Sequence, residues 1–97
     1  MATARVHSLD TRRLRDLAGI GKSIEANLHS LGVTSVSQLA AREGDDLYAA
    51  LCDKTGTRQD PCVLDTFRCA VAQARNPKLP VEQRNWWWWS RQRKEAG

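Results

Sequence analysis

Apolar residues recur along this chain at helical intervals and almost never alternate. Ile20, Ile24, Leu28 and Leu31 fall at i, i+4, i+8 and i+11, a single stripe on a helix. The spacing predicts a helix from about Lys22 to Leu31, followed by Gly32 where a C-terminal cap favours glycine. Upstream, Leu14 and Leu17 share a face of a shorter helix that Ser8 or Asp10 would cap and that ends at Leu17. Ser35-Val36-Ser37-Gln38 fits a capping box and predicts a third short helix ending near Ala41. Asp45 or Gly44 opens a fourth, carrying Leu47, Tyr48 and Leu51 and stopping at Gly56. Asp60-Pro61 pairs a capping aspartate with proline at the first helical position. The fifth helix then runs to Arg75, with Leu64, Phe67, Val71 and Ala74 as its buried stripe, and Asn76-Pro77 ends it. Strand signals are nearly absent. The expectation is an all-α, SAM-like fold, a compact bundle of about five short helices.

Beyond Asn76-Pro77 the chemistry changes. Residues 78–97 hold Pro80, four consecutive tryptophans (Trp86 to Trp89) and the cations Arg91, Arg93 and Lys94. The chain therefore divides into a helical domain over 1–77 and a tryptophan-rich basic extension over 78–97. Four adjacent tryptophans cannot all face one way. The extension is expected to fold back over an exposed helix face, leaving one or two rings in solvent. Aromatics beside arginines also suit stacking on single-stranded bases.

The most informative stretch is Leu14-Arg15-Asp16-Leu17-Ala18-Gly19-Ile20-Gly21-Lys22-Ser23-Ile24. Two glycines around one apolar residue allow a tight turn between helices, with Ile20 pointing inward. The helix that follows begins with unpaired amides near Gly21, Lys22 and Ser23. Such a helix start carries partial positive charge and binds phosphate readily. Lys22 adds a full charge, and Arg12, Arg13 and Arg15 lie just upstream. Contacts of this kind read phosphate and not bases.

On these residues the stretch resembles the helix-hairpin-helix motif of DNA repair and replication proteins. Gly19, Ile20, Gly21 and Lys22 match the hairpin, and Leu14, Leu17, Ile24 and Leu28 match its packing positions. The resemblance implies that hairpin amides hold a backbone phosphate and that hairpin carbonyls sometimes hold a monovalent cation. Leu31-Gly32-Val33-Thr34-Ser35-Val36 through Leu39 resembles the usual continuation. A wider resemblance rests on Tyr48 to Cys52, Gly56 to Asp65, Phe67 to Val71 and the tryptophan tail. These look like a family of small bacterial "pathogenicity locus" proteins, also labelled mitomycin-resistance-associated, which carries the same hairpin. Mitomycin damages DNA, so the second label leans towards nucleic acid.

Other features narrow the picture. Proteins with this motif often carry two hairpins, but Ala41-Arg42-Glu43-Gly44-Asp45-Asp46, where a second would fall, has one glycine and three acids and should repel phosphate. Gly21-Lys22-Ser23 matches the end of a phosphate-binding P-loop, yet the first glycine of that motif would fall on Asp16 and no strand precedes it. Three cysteines, Cys52, Cys62 and Cys69, form no C-x-x-C pair and read as ordinary buried or half-buried thiols. No metal and no catalytic group is expected. Net charge is +4, with residues 1–31 at +2, residues 32–60 at −2 and residues 61–97 at +4 by counting, so a polyanion should avoid the middle. Hydrophobic residues at 41% and charged residues at 27% are ordinary for a globular chain. Neither a membrane span nor a signal peptide is visible, and a cytoplasmic location is expected.

The reading is a non-enzymatic protein that binds nucleic-acid backbone, DNA more than RNA, without sequence preference. Its contacts are Gly19, Ile20, Gly21, Lys22 and Ser23, helped by Arg12, Arg13 and Arg15. The alternative is a protein-interaction module or homodimer on the same fold, with the tryptophan tail as its contact.

Overall fold

A computed structural model describes residues 11–96. Five α-helices follow one another there: α1 (Lys22–Ser30), α2 (Val36–Ala40), α3 (Gly44–Thr55), α4 (Pro61–Arg75) and α5 (Trp86–Ala96). Two 3-10 turns, Leu14–Asp16 and Val81–Arg84, lead into α1 and α5. No strand occurs among the described residues. The fold is all-helical, as the apolar periodicity predicts.

The middle helices begin and end where local chemistry dictates. Ser35 Oγ accepts the Gln38 amide at the start of α2. The return half of the capping box differs: Gln38 Oε1 accepts from the Thr34 amide and hydroxyl, at 2.7 and 2.9 Å, and so staples the preceding residue. Asp60 Oδ1 accepts the Cys62 amide at 2.8 Å, with Pro61 at the first position of α4. Gly56 closes α3 in the left-handed region, φ 68°. The N-cap of α3 is Glu43 instead of Asp45 or Gly44. Gly44 sits inside the helix for a packing reason. A Cβ there would lie 2.8 Å from the Arg68 backbone, so glycine lets α3 and α4 approach closely.

The first predicted helix is shorter than its pattern suggests. Its proposed caps, Ser8 and Asp10, lie outside the described residues. Within them only the single 3-10 turn Leu14–Asp16 forms, flanked by extended Arg13 and Leu17. A local bond closes this turn, and tertiary bonds compete with its continuation. The Arg13 amide donates to Asp16 Oδ2 at 2.7 Å, and the Ala18 amide and carbonyl both pair with a side chain of α4.

α4 is the centre of the molecule. Phe67, Cys69, Ala70, Val71 and Ala74 are buried, and α3 and α5 pack against it. The predicted stripe is therefore too narrow: Leu64 is only half-buried, while Asp65 and Gln73 are buried. The core is completed by Leu14, Leu17, Ile20, Leu28, Val33, Val36, Leu39, Leu47 and Leu51.

The tail folds back as a helix. Ser90, 6% exposed, is the buried residue of α5, which packs against α4. Trp88 and Trp89 are half-buried and meet edge to face, 5.1 Å between centroids. Trp89 Nε1 donates to the Gln83 carbonyl at 2.8 Å. Trp86 and Trp87 stay in solvent. The strongest tie is Arg93, which grips the fully buried Asp65 through Nε at 2.9 Å and a second nitrogen at 3.1 Å.

That pair is asymmetric, and the asymmetry is testable. Without Arg93 a carboxylate stays buried and unpaired, whereas without the Asp65 charge the half-exposed guanidinium can turn to water. Arg93→Met is expected to lower the melting temperature by more than about 4 °C. Asp65→Asn should lower it less, and Arg91→Met and Lys94→Met hardly at all. Thermal melting by circular dichroism ranks the four.

Candidate functional site

The turn between Leu17 and α1 is built by three anchors. Gly19 has φ 87°, a left-handed backbone that side chains rarely adopt. Ile20 is 5% exposed and plugs the core beneath the turn. Its amide donates to the Leu17 carbonyl at 3.3 Å. The third anchor is Gln73 of α4, itself buried. Its Oε1 accepts the Ala18 amide and its Nε2 donates to the Ala18 carbonyl, both at 2.9 Å. A side-chain amide here pairs with one residue's backbone in both directions, fixing the turn's height and tilt on α4.

The open side of the turn carries Gly19, Gly21, Lys22 and Ser23, all exposed. Gly21 is the N-cap of α1, with an ordinary extended backbone, φ −94°. A Cβ there would meet nothing within 4 Å. Neither conformation nor crowding demands glycine at this position. What glycine supplies is an uncovered approach to the helix start. The amides of Gly21, Lys22 and Ser23 have no hydrogen-bond partner among the described residues. They are the orphan donors of a nine-residue helix, at its positive end.

The upstream arginines separate. Arg12 is half-buried and turns to the far end of α4, donating to the Gln73 and Ala74 carbonyls at 2.9 and 3.1 Å. It caps a helix C-terminus, where cations are favourable. Arg15 reaches Glu25 at 3.4 Å across the surface. Arg13 is exposed. Lys22 and Arg13 are therefore the cations of this segment without an acceptor among the described residues.

The place for a second hairpin is filled by the chain itself. Gly44 is buried against Arg68. Asp45 takes both the Nε and one terminal nitrogen of Arg68, at 2.7 and 2.8 Å, and the guanidinium holds its carboxyl below the usual range. Glu43 pairs with Arg75 at 2.8 Å. The start of α3 thus presents carboxylates paired with the protein's own arginines.

Sequence reasoning did not identify Gln73 or Asp65. A signal was present: each is a polar residue among apolar ones in the fifth predicted helix. The cysteines are dispersed. Cys52 and Cys62 are half-buried and Cys69 is buried. Among the described residues no group of three or more histidine, cysteine or carboxylate side chains could hold a metal ion. No helix among them is long and apolar enough to cross a membrane.

The chain matches the model of the pathogenicity locus family over residues 8–95. It is 37% identical over 87 residues to a mitomycin resistance protein, McrB, of Streptomyces lavendulae, covering 90% of this chain and 79% of that one. No solved structure matches it.

Two outcomes follow from the packing. Gln73→Leu keeps the bulk but leaves the Ala18 backbone groups unpaired, and should cost about 1–2 kcal/mol in urea unfolding. Burial pushes the Cys69 thiol up to about 11. At pH 8 Cys69 should resist iodoacetamide in the native protein and react once the protein is denatured, as mass spectrometry would show.

Proposed function

The chain belongs to the pathogenicity locus family, and for this member we propose sequence-independent binding of a nucleic-acid backbone, DNA in the first instance, through the turn at Gly19–Ser23. One observation carries the reading. Gly21, Lys22 and Ser23 are exposed, their amides have no partner among the described residues, and Gly21 carries no side chain that could cover them. This turn resembles a helix-hairpin-helix whose first arm, among the described residues, is the 3-10 turn Leu14–Asp16.

A phosphate oxygen set against these amides would sit on the positive end of α1 with Lys22 beside it. Such contacts position a backbone and carry no base code. Lys22 and Arg13 supply the nearby charge. Arg15 supplies a share weakened by Glu25, and Arg12 acts through the placement of the turn. The carbonyls of Leu17 and Ala18 already serve the Ile20 amide and Gln73. Phosphate contact by amides needs no bridging cation, and none enters the proposal. The relative's name, tied to mitomycin resistance, is compatible with this reading and does not carry it.

One titration series tests the proposal. Binding to a DNA duplex, followed by fluorescence anisotropy, should fall steeply with salt. Lys22→Glu should weaken binding about tenfold at low salt, lower the salt slope by about one, and act equally on unrelated sequences. Because Lys22 is exposed, the circular dichroism spectrum should stay intact. Unchanged affinity in a folded Lys22→Glu protein would move the contact away from this turn.

A further inference from the structure

The start of α4 and the face of α5 from Trp86 to Lys94 leave a groove of about 530 Å³ between them. Trp86, Trp87, Arg91, Lys94, Pro61 and Cys62 are among its lining residues. Within α5, Trp87, Arg91 and Lys94 fall at i, i+4 and i+7, so one helix face carries an aromatic ring followed by two cations. The Arg91 guanidinium lies over the Trp87 ring, 4.7 Å from its centroid. Trp86 and Trp87 are 40% and 45% exposed, unlike the half-buried Trp88 and Trp89 that secure the tail.

We propose that this groove stacks an unpaired nucleobase on Trp86 and Trp87, with Arg91 and Lys94 drawing the adjoining phosphates. The ligand class is then nucleic acid that has unpaired residues beside the segment held at the turn. This rests on the reading of the turn as a backbone-binding site.

Three observations favour that occupant. Charge is complementary to a polyanion: Arg91 and Lys94 have no carboxylate partner among the described residues. The rim's carboxylate, Asp60, is held in capping the Cys62 amide, and Arg93 is tied to Asp65. The aromatic area is small. Two rings less than half exposed present on the order of 200 Å², against about 800 Å² per partner in a stable protein interface. The area suits bases better than a second copy. Placement is the third. Cys62 lines the groove, and Gln73 clamps the turn. Eleven residues apart on α4, they share a helix face and are separated by roughly 16 Å along its axis. About five stacked nucleotides at 3.4 Å each cover the distance to that edge of the groove, which Cys62 shares with Lys94. Two weak contacts that one ligand reaches together reinforce each other.

The test compares a single strand of about twelve nucleotides, within the site sizes such surfaces cover, with a duplex of equal length. Trp86→Ala combined with Trp87→Ala should weaken the single strand roughly fivefold to a hundredfold. Duplex affinity should stay within about twofold. Trp87→Phe should restore much of the loss, because a phenyl ring still stacks. Lys22→Glu should weaken both ligands. A fluorescent purine analogue in the strand gives a readout on the unaltered protein, since stacking should quench it on binding. An unchanged single-strand affinity in the folded double variant, or no quenching, overturns the groove proposal while leaving the turn intact. Absence of binding to either nucleic acid overturns both. A sedimenting dimer that the double variant dissociates, with single-strand affinity unaltered, assigns the surface to a second copy and also overturns it.

Discussion

A helix buried on most of its circumference must satisfy every polar group it carries, and the architecture of this protein follows from that constraint on α4. Two polar side chains, Asp65 and Gln73, lie inside it at 0% and 5% exposure. Each is satisfied by a different end of the described chain. Gln73 takes the backbone of Ala18, so the N-terminal turn is held down. Asp65 takes the guanidinium of Arg93, so the C-terminal helix is held down. Among the described residues no buried side-chain nitrogen or oxygen lacks a partner. An unpaired buried amide or carboxylate costs more than a made bond returns. The two residues therefore exclude arrangements in which either end peels away. Apolar packing makes α4 the centre, and its buried polar atoms fix what must lie against it.

The same economy governs the cations. A net charge of +4 suggests a diffusely basic surface, but about half of the described cations serve the fold. Lys54 donates to the Ser30 carbonyl and Arg42 to that of Leu31, closing the C-terminal end of α1. Arg75 closes α2 through the Ala40 and Arg42 carbonyls. Arg12 does the same for α4, and Arg84 holds the Leu79 carbonyl. Arg68 and Arg93 answer carboxylates. Helix C-termini are negative poles, and short helices present many of them in little volume. What remains for a polyanion is a handful of positions, with Lys22 and Arg13 beside the turn and Lys94 on the tail. Bonds to neutral carbonyls leave these charges in place but fix where they sit and occupy their donors.

The legible parts of the sequence were those governed by local rules. The capping serine before α2, the Asp60-Pro61 start of α4, the glycine end of α3 and the Ile20–Leu31 stripe are decided within a few residues, and each appears where its chemistry places it. Tertiary competition accounts for what was not legible. The Leu14–Leu17 segment has helical spacing, but Gln73 offers Ala18 two hydrogen bonds that a continuing helix could not make together. Gly44 reads as a cap because glycine is common at helix ends, and only the approach of Arg68 shows that it is there for space. Arg12 reads as a phosphate contact from its neighbours in sequence, while in space it closes a helix 61 residues away. For the candidate site, glycine, isoleucine, lysine and serine were visible, and the residue that sets their orientation was not.

That last point has a physical consequence for how such a site is built. Orphan amides attract an anion wherever a helix begins, yet most helix starts among the described residues are closed. Ser35 and Asp60 occupy those of α2 and α4 with their own oxygens. The start of α3 is crowded by Arg68 and lined with carboxylates. At α1 the capping residue is Gly21, which has no side chain to accept the amides and none to obstruct them. Leaving those donors to solvent costs little, because glycine at an N-cap is only a few tenths of a kcal/mol less favourable than a serine or aspartate. A helix start without a side-chain cap, on a turn held by Gln73 and plugged by Ile20, is the feature on which the proposed phosphate contact rests.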